Sequence, residues 1–256
     1  MKIMWIPDTQ TKEGVPTEHL EWIGKYAIDK RPDIIIHAGD HWDMPSLSSY
    51  DKGKKSFEGR RYKKDVEAGN AAMEILLKPL KDYNAQASKN HRTRYNPTKY
   101  FLTGNHEQRI ERAIQDDAKL DGTIGYQDLD TSDWEVVGFL EPLVIEDVVF
   151  CHYLTSGVMG RPVTTANALL TKKHQSCVVG HQQGRQVATS SRADGRTLTA
   201  IIAGSCYLHE EDYLGVQGNK HFRGVVMLHE VADGSFDESF VSLNFLSQKY
   251  AGKEVS

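Results

Sequence analysis

The feature that most constrains the fold is a short apolar segment followed at once by two carboxylates. Residues 33–36 read Asp-Ile-Ile-Ile, a continuous β-branched run that favours a strand buried on both faces over an alternating surface strand. Gly39 then lets the backbone turn tightly, and Asp40 and Asp43 follow the carboxyl end of the strand. Open α/β sheets bind ligands in the crevice at that end. We therefore expect the rest of the chain to bring further polar groups to Asp40.

Four other short apolar segments end in the same way, each with side chains that can bind a metal ion. An aspartate or asparagine after a single strand is ordinarily a turn former or a helix cap. Five such endings in one chain instead indicate one site built from several strand ends. The four segments are residues 2–6, 99–102, 148–151 and 177–179, and the polar residues that follow them are Asp8, Gln10, Asn105, His106, Glu107, His152, His181 and Gln183.

The order of these motifs resembles the calcineurin-like metallophosphoesterases. The chain reads Asp-x-Gln, Gly-Asp-x-x-Asp, Gly-Asn-His-Glu, a histidine after a strand, and Gly-His-x-Gln, and the middle two motifs are specific in combination. Gln10 and Gln183 stand where the family usually has histidines. The motifs run from Asp8 to Gln183, which is most of the chain. The resemblance implies a metal-dependent phosphoric ester hydrolase.

Two divalent cations about 3.5–4 Å apart are what such chemistry uses to neutralise phosphate charge and activate a water molecule. Asp40 is the natural shared ligand, because a carboxylate can offer one oxygen to each cation. By resemblance, Asp8 belongs to one cation, and Asn105, His152 and His181 belong to the other. We expect Mn²⁺, with Zn, Fe, Ni or Mg as alternatives.

The two glutamines weaken the Asp8 side of this expected site. A glutamine carbonyl oxygen is a neutral, harder and weaker donor to transition metals than an imidazole nitrogen. The Asp8 site should therefore be weaker or more selective for Mn and Mg. Whether Gln10 and Gln183 bind a cation directly is left open by the sequence.

His106 is the candidate general acid. It follows the expected ligand Asn105, so its side chain should point to the other side of the turn, toward the leaving group. Asp43 would hold the other ring nitrogen of His106 and favour the charged imidazolium.

The candidates for substrate contact lie outside these motifs. Residues 51–64 are the most basic stretch in the chain and contain Arg60 and Arg61, which would meet an anionic backbone; a solvated loop and helix start is the alternative. Arg161 precedes a predicted helix start and would bind a phosphate, although a plain loop arginine fits nearly as well. His41 has no role that the resemblance assigns; it is either a substrate contact or a supporting or surface residue.

Composition limits the class of protein. The chain has 256 residues, 39% of them hydrophobic and 26% charged, and no long apolar run, which predicts a soluble globular protein without a membrane span. The first strand reaches Asp8 too early for a signal peptide, so we expect a cytoplasmic protein. A net charge of −4 argues against a protein that coats nucleic acid but allows a local basic patch. The three cysteines lie at irregular spacing in or beside apolar runs, which predicts buried thiols.

The predicted elements form one domain over residues 1–256. The resemblance implies an α/β fold class, with two facing mixed β-sheets in a sandwich and helices outside, and this accounts for the order of the elements. A basic insertion is expected around residues 51–98, exposed over 85–98, and a frayed tail over 249–256. Helices are predicted over residues 17–30, 65–83, 107–118 and 164–173, and Pro79 should kink or end the second.

The leading functional hypothesis is a phosphodiesterase or nuclease that acts on nucleic acid or nucleotides. A phosphomonoesterase for protein or nucleotide ends is the second, and a binding or scaffold protein with a weakened metal site is the third. Residues 7–10, 46–50 and the loop 204–223 resemble a subgroup often encoded by phages and prophages, which would place the protein in the host cytoplasm. The resemblance leaves the oligomeric state open.

Overall fold

The structure is a computed structural model, and it describes residues 1–49, 53, 55–211 and 214–254. Among them no helix combines the length and the apolar character that crossing a lipid bilayer requires. The helices are α1 (Glu18–Lys30), α2 (Tyr62–Lys89), α3 (Gln108–Asp116), α4 (Ala166–Lys173), α5 (Gly215–Gly218) and α6 (Leu243–Ala251). The strands are β1 (Ile3–Ile6), β2 (Ile34–His37), β3 (Thr98–Leu102), β4 (Glu135–Val137), β5 (Leu143–Ile145), β6 (Val148–Cys151), β7 (Thr155–Ser156), β8 (Arg161–Pro162), β9 (Cys177–Val179), β10 (Arg185–Ser191), β11 (Thr197–Ala203), β12 (Gly224–Ala232) and β13 (Ser235–Ser242).

The strands form two mixed sheets and a short ribbon. The first sheet has the order β13-β12-β1-β2-β3-β4, in which β1 to β4 run parallel, β12 pairs antiparallel with β1, and β13 pairs antiparallel with β12. The second has the order β10-β11-β9-β6-β5, with β11, β9 and β6 parallel. Strands β7 and β8 form the ribbon. Strands β1 and β2, which α1 connects, pair in parallel.

Alternation along β1 shows how the layers are assembled. Ile3 and Trp5 are buried between the two sheets, whereas Met4 and Ile6 belong to the core under the helices. Successive side chains of a strand point to opposite faces, so four consecutive apolar residues serve two cores at once. Trp5 packs against Phe150 of the second sheet, with ring centroids 6.1 Å apart.

Helices cover the outer faces of both sheets. Side chains of α1, α2 and α6 share a core with the first sheet, and α4 shares one with the second. The molecule is therefore layered helix, sheet, sheet, helix, and the predicted fold class is confirmed.

Helix α2 differs most from its prediction. It runs without a break through Pro79 to Lys89, so the helix predicted to end at residue 83 was too short, and residues 85–89 are helical. A proline inside a helix removes a hydrogen bond and costs roughly 3 kcal/mol. The ring of Pro79 lies against Gly24 of α1. A methyl group added at Gly24 would come within 2.9 Å of Cγ of Pro79. Helices α1 and α2 therefore pack closely at this point.

The C-terminal segment also differs from its prediction. Lys249 and Tyr250, assigned to a frayed tail, belong to α6, and both contact Asp29. The other predicted helices are present with ends shifted by one or two residues. Residues 50–52, 54, 212, 213, 255 and 256, which include Lys52 and Lys54 of the basic stretch, lie outside the described residues.

Candidate metal centre

Both sheets contribute residues to one site at the carboxyl ends of their parallel strands. Asp8, Asp40 and Asn105 follow β1, β2 and β3 of the first sheet, and His152 and His181 follow β6 and β9 of the second. Because parallel strands end at the same edge of a sheet, two facing sheets present these ends to each other.

Asp40, His152 and His181 form the centre of this site. Their ligand atoms all lie within 4.8 Å of one another. Nε2 of His152 lies 3.4 Å from Oδ2 of Asp40 and 3.0 Å from Oδ1 of Asn105. Four of the predicted ligands, Asp40, Asn105, His152 and His181, therefore lie together.

A backbone hydrogen bond sets the orientation of the ring of His152. Its Nδ1–H donates to the carbonyl oxygen of Ala38 at 2.8 Å, which turns Nε2 toward Asp40. Burial lowers the pKa of His152, but the carboxylates of Asp40 and Asp8 outweigh burial and raise the pKa to about 10. A cation must therefore compete with a proton for Nε2.

Asp8 and Gln10 follow β1, and both are buried. Asp8 is fully buried, and its carboxylate accepts a hydrogen bond from the backbone N–H of His181 at 3.1 Å. Burial raises the pKa of Asp8, and nearby His152 opposes this rise. Oε1 of Gln10 is buried and finds no hydrogen-bond donor among the described residues. Buried oxygens are rarely left unsatisfied, so an orphan acceptor two residues from a buried carboxylate fits a cation.

Gln183 is placed differently from Gln10. Its Oε1 accepts hydrogen bonds from the hydroxyl groups of Ser205 and Tyr207, the latter at 2.8 Å. A carbonyl oxygen has two lone pairs, and both are used here. Ligation by Gln183 remains a prediction, and in this arrangement the amide anchors the loop 204–223 instead.

Several candidate ligands have a strained backbone. Gln10, Asp40 and His181 have φ angles of 41°, 47° and 64°, in the left-handed region that residues with a Cβ rarely adopt. Gly39 has φ 92°, and a Cβ there would lie 2.2 Å from the carbonyl oxygen of Leu102. Such strain persists where surrounding structure holds it, and it is concentrated at functional sites.

Glu107 holds the two central loops together. Its carboxylate is fully buried and accepts hydrogen bonds from the backbone N–H groups of Asp40, His41, Trp42 and Gly104 at 2.7–3.0 Å. Each oxygen takes two of these bonds. Glu107 thereby fixes the loop that carries Asp40 against the loop that carries Asn105.

His106 and Asp43 form a pair beside the cluster of Asp40, Asn105, His152 and His181. Nδ1 of His106 lies 2.7 Å from Oδ1 of Asp43, and Nε2 lies 3.7 Å from Oδ2 of Asp40. Burial raises the pKa of Asp43, but His106, Lys12 and Arg109 outweigh it and hold that pKa below its ordinary value. Asp43 is therefore an ionised partner for the imidazole.

Comparison with known families gives the same interpretation. A family model described as calcineurin-like phosphoesterase matches residues 1–185. The chain belongs to this family. This calcineurin-like phosphoesterase is a metal-dependent phosphoric ester hydrolase, and the residues from Asp8 to Gln183 all lie within the matched part. Comparison with curated proteins gives no match.

Two cationic residues of the phosphoesterase site were missed by the sequence analysis. Lys12 Nζ lies 2.9 Å from Oδ2 of Asp43. Arg109 donates from Nη1 to the carbonyl oxygen of Asp43 at 2.7 Å, and its Nη2 lies 3.0 Å from Nε2 of His106. The spacing of three residues between His106 and Arg109 at the start of a helix was a usable signal. No local pattern indicates Lys12.

The predicted substrate residues of the phosphoesterase have different environments. His41 is fully buried, with Nδ1 bonded to Thr9 and Nε2–H donating to the carbonyl of Gly69, so it supports the core and has no ring nitrogen free for a substrate. Arg161 is exposed on the ribbon that follows His152. Arg60 and Arg61 lie at the start of α2. Substrate binding by these three arginines remains a prediction.

Proposed function

We propose that the protein is a phosphodiesterase that cleaves nucleic acid or nucleotides, with His106 as the general acid. The observation that carries the proposal is the position of His106, with one ring nitrogen beside Asp43 and the other facing Asp40 of the ligand cluster. A proton donor next to the cations is what the departing ester oxygen requires.

Two divalent cations, with Mn²⁺ preferred, would be held by residues of both sheets. Asp8 and Gln10 would hold one cation, and Asp40 would be shared. Asn105, His152 and His181 would hold the second cation. When bound, the cations neutralise the phosphate charge and lower the pKa of a water molecule.

Arg109 sets a condition on proton transfer. A guanidinium is always a donor, so the contact at 3.0 Å makes Nε2 of His106 an acceptor. For His106 to protonate a leaving oxygen, Arg109 must turn away from Nε2. The phosphate of a substrate is a stronger partner for a guanidinium than a neutral imidazole. We infer that substrate draws Arg109 to itself, so that Nε2 can take a proton from water and then donate it to the leaving oxygen.

The surroundings of the site support a nucleic-acid substrate. Arg60 donates to the carbonyl of Pro45 at 3.0 Å, next to the residues that Arg109 contacts, so the basic stretch lies on the same side as His106. On the other side, the ring of Tyr153 lies 4.8 Å from that of His181, and Phe139 lies beside Tyr153. Bases stack on such aromatic side chains while basic groups follow the backbone. The resemblance to phage-encoded members supports the same substrate class and the host cytoplasm as the place of action.

One assay tests the proposal. Metal-stripped protein is given Mn, Mg, Zn, Ni or Fe and tested on an aryl phosphomonoester, an aryl phosphodiester, and single-stranded and duplex DNA. We expect the diester and DNA to be cleaved fastest, in the presence of Mn²⁺. A preference for the monoester would favour the phosphomonoesterase hypothesis. DNA binding without turnover in any metal would favour the scaffold hypothesis.

His106→Ala should separate substrates by their leaving groups. We expect a loss of about 10²–10⁴ in kcat on an alkyl phosphodiester, because loss of general acid catalysis has that magnitude. An activated aryl diester needs little protonation and should lose much less. His91→Ala, at an exposed position after α2, is the control. Equal losses on both esters would show that His106 is not the acid.

Charge reversal in the basic stretch should affect polymers only. Lys55→Glu with Arg61→Glu should weaken DNA cleavage and lower the slope of log activity against log salt by roughly 2, since each lost phosphate contact changes it by about 0.9. Cleavage of a small aryl diester should be unchanged. The control, Lys89→Glu with Lys172→Glu, makes the same charge change elsewhere on the surface. Lys89 is at the far end of α2, roughly 40 Å from Arg61 at a rise of 1.5 Å per residue. If wild-type DNA cleavage is no more sensitive to salt than aryl ester cleavage, a nucleic-acid substrate is excluded.

A further inference from the structure

We propose that Lys12 and Glu211 are positioning residues that fix the Asp43–His106 pair, and that through them the loop 204–223 sets the geometry on the leaving-group side of the site. The proposal rests on the role of His106 given under the proposed function. It adds Lys12 and also Glu211, which lies beyond the family match that ends at residue 185.

A continuous row of charged contacts leads from the loop to His106. Nζ of Lys12 lies 2.9 Å from Oδ2 of Asp43 and 2.6 Å from Oε1 of Glu211. The same oxygen of Glu211 lies 2.7 Å from Nε2 of His209. The side chains of Lys12, Asp43 and Glu211 are only 22%, 10% and 11% exposed. Charges are brought this far out of water only where partners compensate them.

The row constrains both oxygens of Asp43. His106 contacts Oδ1 and Lys12 contacts Oδ2, so the carboxylate cannot turn about its last torsion without losing one partner. That torsion is otherwise broad and weakly restrained in aspartate. Fixing the carboxylate plane also fixes the ring of His106 that it holds.

Lys12 needs a second anchor to do this. A lysine has a flexible stem and a point charge, and one carboxylate contact leaves its ammonium free to move. Glu211 supplies the anchor from the opposite side. The ammonium of Lys12 therefore bridges the carboxylates of Asp43 and Glu211, and its positive charge compensates one of their two negative charges.

The described part of the loop is itself held firmly. Asn219 accepts from the backbone N–H of Glu211 and donates to its carbonyl, both at 2.9 Å. Arg223 donates to the carbonyl of His209 at 2.7 Å and lies over the ring of Tyr207. Because Tyr207 also donates to Gln183, one loop contacts both the Asp43 side and the strand end that carries His181.

The test compares two esters in four variants. Lys12→Met and Glu211→Gln should lower kcat on an alkyl phosphodiester by roughly tenfold to a hundredfold, as small misplacements of a catalytic group do. The loss on an activated aryl diester should stay under about twofold, since that ester needs little proton donation. Lys12→Arg should restore part of the loss. Lys64→Met is the matched control, because Lys64 pairs with Glu13 at 2.8 Å but both side chains are at least half exposed.

Two further measurements separate positioning from a general structural effect. In a His106→Ala background, Lys12→Met should cause no additional loss on the alkyl ester. NMR of histidine-labelled, Mg²⁺-loaded protein should show the ring signals of His106 shifted by Lys12→Met and by Glu211→Gln but not by Lys64→Met. This readout needs no substrate, so it decides the proposal even if wild-type protein hydrolyses no ester and the proposed function fails.

Three outcomes would overturn the proposal. They are equal losses on both esters, a further loss in the His106→Ala background, or unchanged ring signals of His106. If Lys12→Met does not fold, Glu211→Gln and Lys12→Arg carry the same comparison.

Discussion

Asp40→Asn is expected to reduce phosphoester hydrolysis by at least about a thousandfold, which corresponds to roughly 4 kcal/mol of lost transition-state stabilisation. Oδ1 of Asp40 accepts the backbone N–H of His106 at 2.8 Å, and Oδ2 faces the imidazoles of His106 and His152. Burial raises the pKa of Asp40, yet these imidazoles outweigh it and keep the carboxylate ionised. Asparagine has nearly the same volume but lacks the charge and the second acceptor oxygen.

Metal content distinguishes this prediction from a simple loss of activity. Elemental analysis of the Asp40→Asn protein should show both cations depleted, because the shared ligand is gone. Asp65→Asn is the control, since Asp65 is equally buried but bonds the backbone N–H of Ser46 outside the cluster. Two fully bound cations in the Asp40→Asn protein would contradict the shared-ligand assignment.

Glu107→Ala is expected to have the largest effect on stability. It would leave four buried backbone N–H groups without an acceptor. Each unsatisfied group costs about 1–3 kcal/mol, and with partial relaxation we expect a total loss of roughly 4–6 kcal/mol in the free energy of unfolding. A domain is typically stable by only about 5–15 kcal/mol, so the variant should be close to unfolding.

Chemical denaturation measures this loss directly. Glu111→Ala is the matched control, because Glu111 is a partly exposed glutamate of α3 whose side chain bonds only weakly, to Gln115 at 3.5 Å. If Glu107→Ala costs no more than the control, the two loops are held by other contacts. Glu107→Gln should have an intermediate effect. The remaining amide oxygen can still accept two of the four hydrogen bonds, whereas the NH₂ group would face the other two N–H donors.

The strand ends were predictable because their physics is local. Short β-branched segments form buried parallel strands, and parallel strands end at one edge of a sheet, so polar residues at the strand ends of one sheet were expected to lie together. The prediction that Asp40 meets His152 and His181 of the second sheet came from the family resemblance. The place of His106 was predicted from its position after Asn105 in the turn, and that of Asp43 from the Gly-Asp-x-x-Asp motif. The roles of these residues in catalysis remain predictions that the experiments above address.

The parts that the sequence could not predict depend on distant contacts. Gln10 and Gln183 are the same residue type in equivalent motifs. In the described part of the chain, the amide oxygen of Gln10 has no donor, whereas that of Gln183 is bonded to hydroxyls more than twenty residues further along the chain. The continuation of α2 through Pro79 depends on Gly24 of another helix. Lys12 acquires its role only when Glu211 is folded beside it.

The origin of the ligands in two sheets makes the centre sensitive to the width of the core. Asp40 follows a strand of the first sheet and His152 a strand of the second. The distance between them depends on the apolar layer between the sheets, in which Trp5 packs against Phe150. Close-packed interiors transmit small changes in volume as displacements of whole elements. The cations differ in radius and in their tolerance of ligand spacing. We therefore expect substitutions that change the volume of the buried hydrocarbon side chains between the sheets to shift the metal preference while every candidate ligand stays the same.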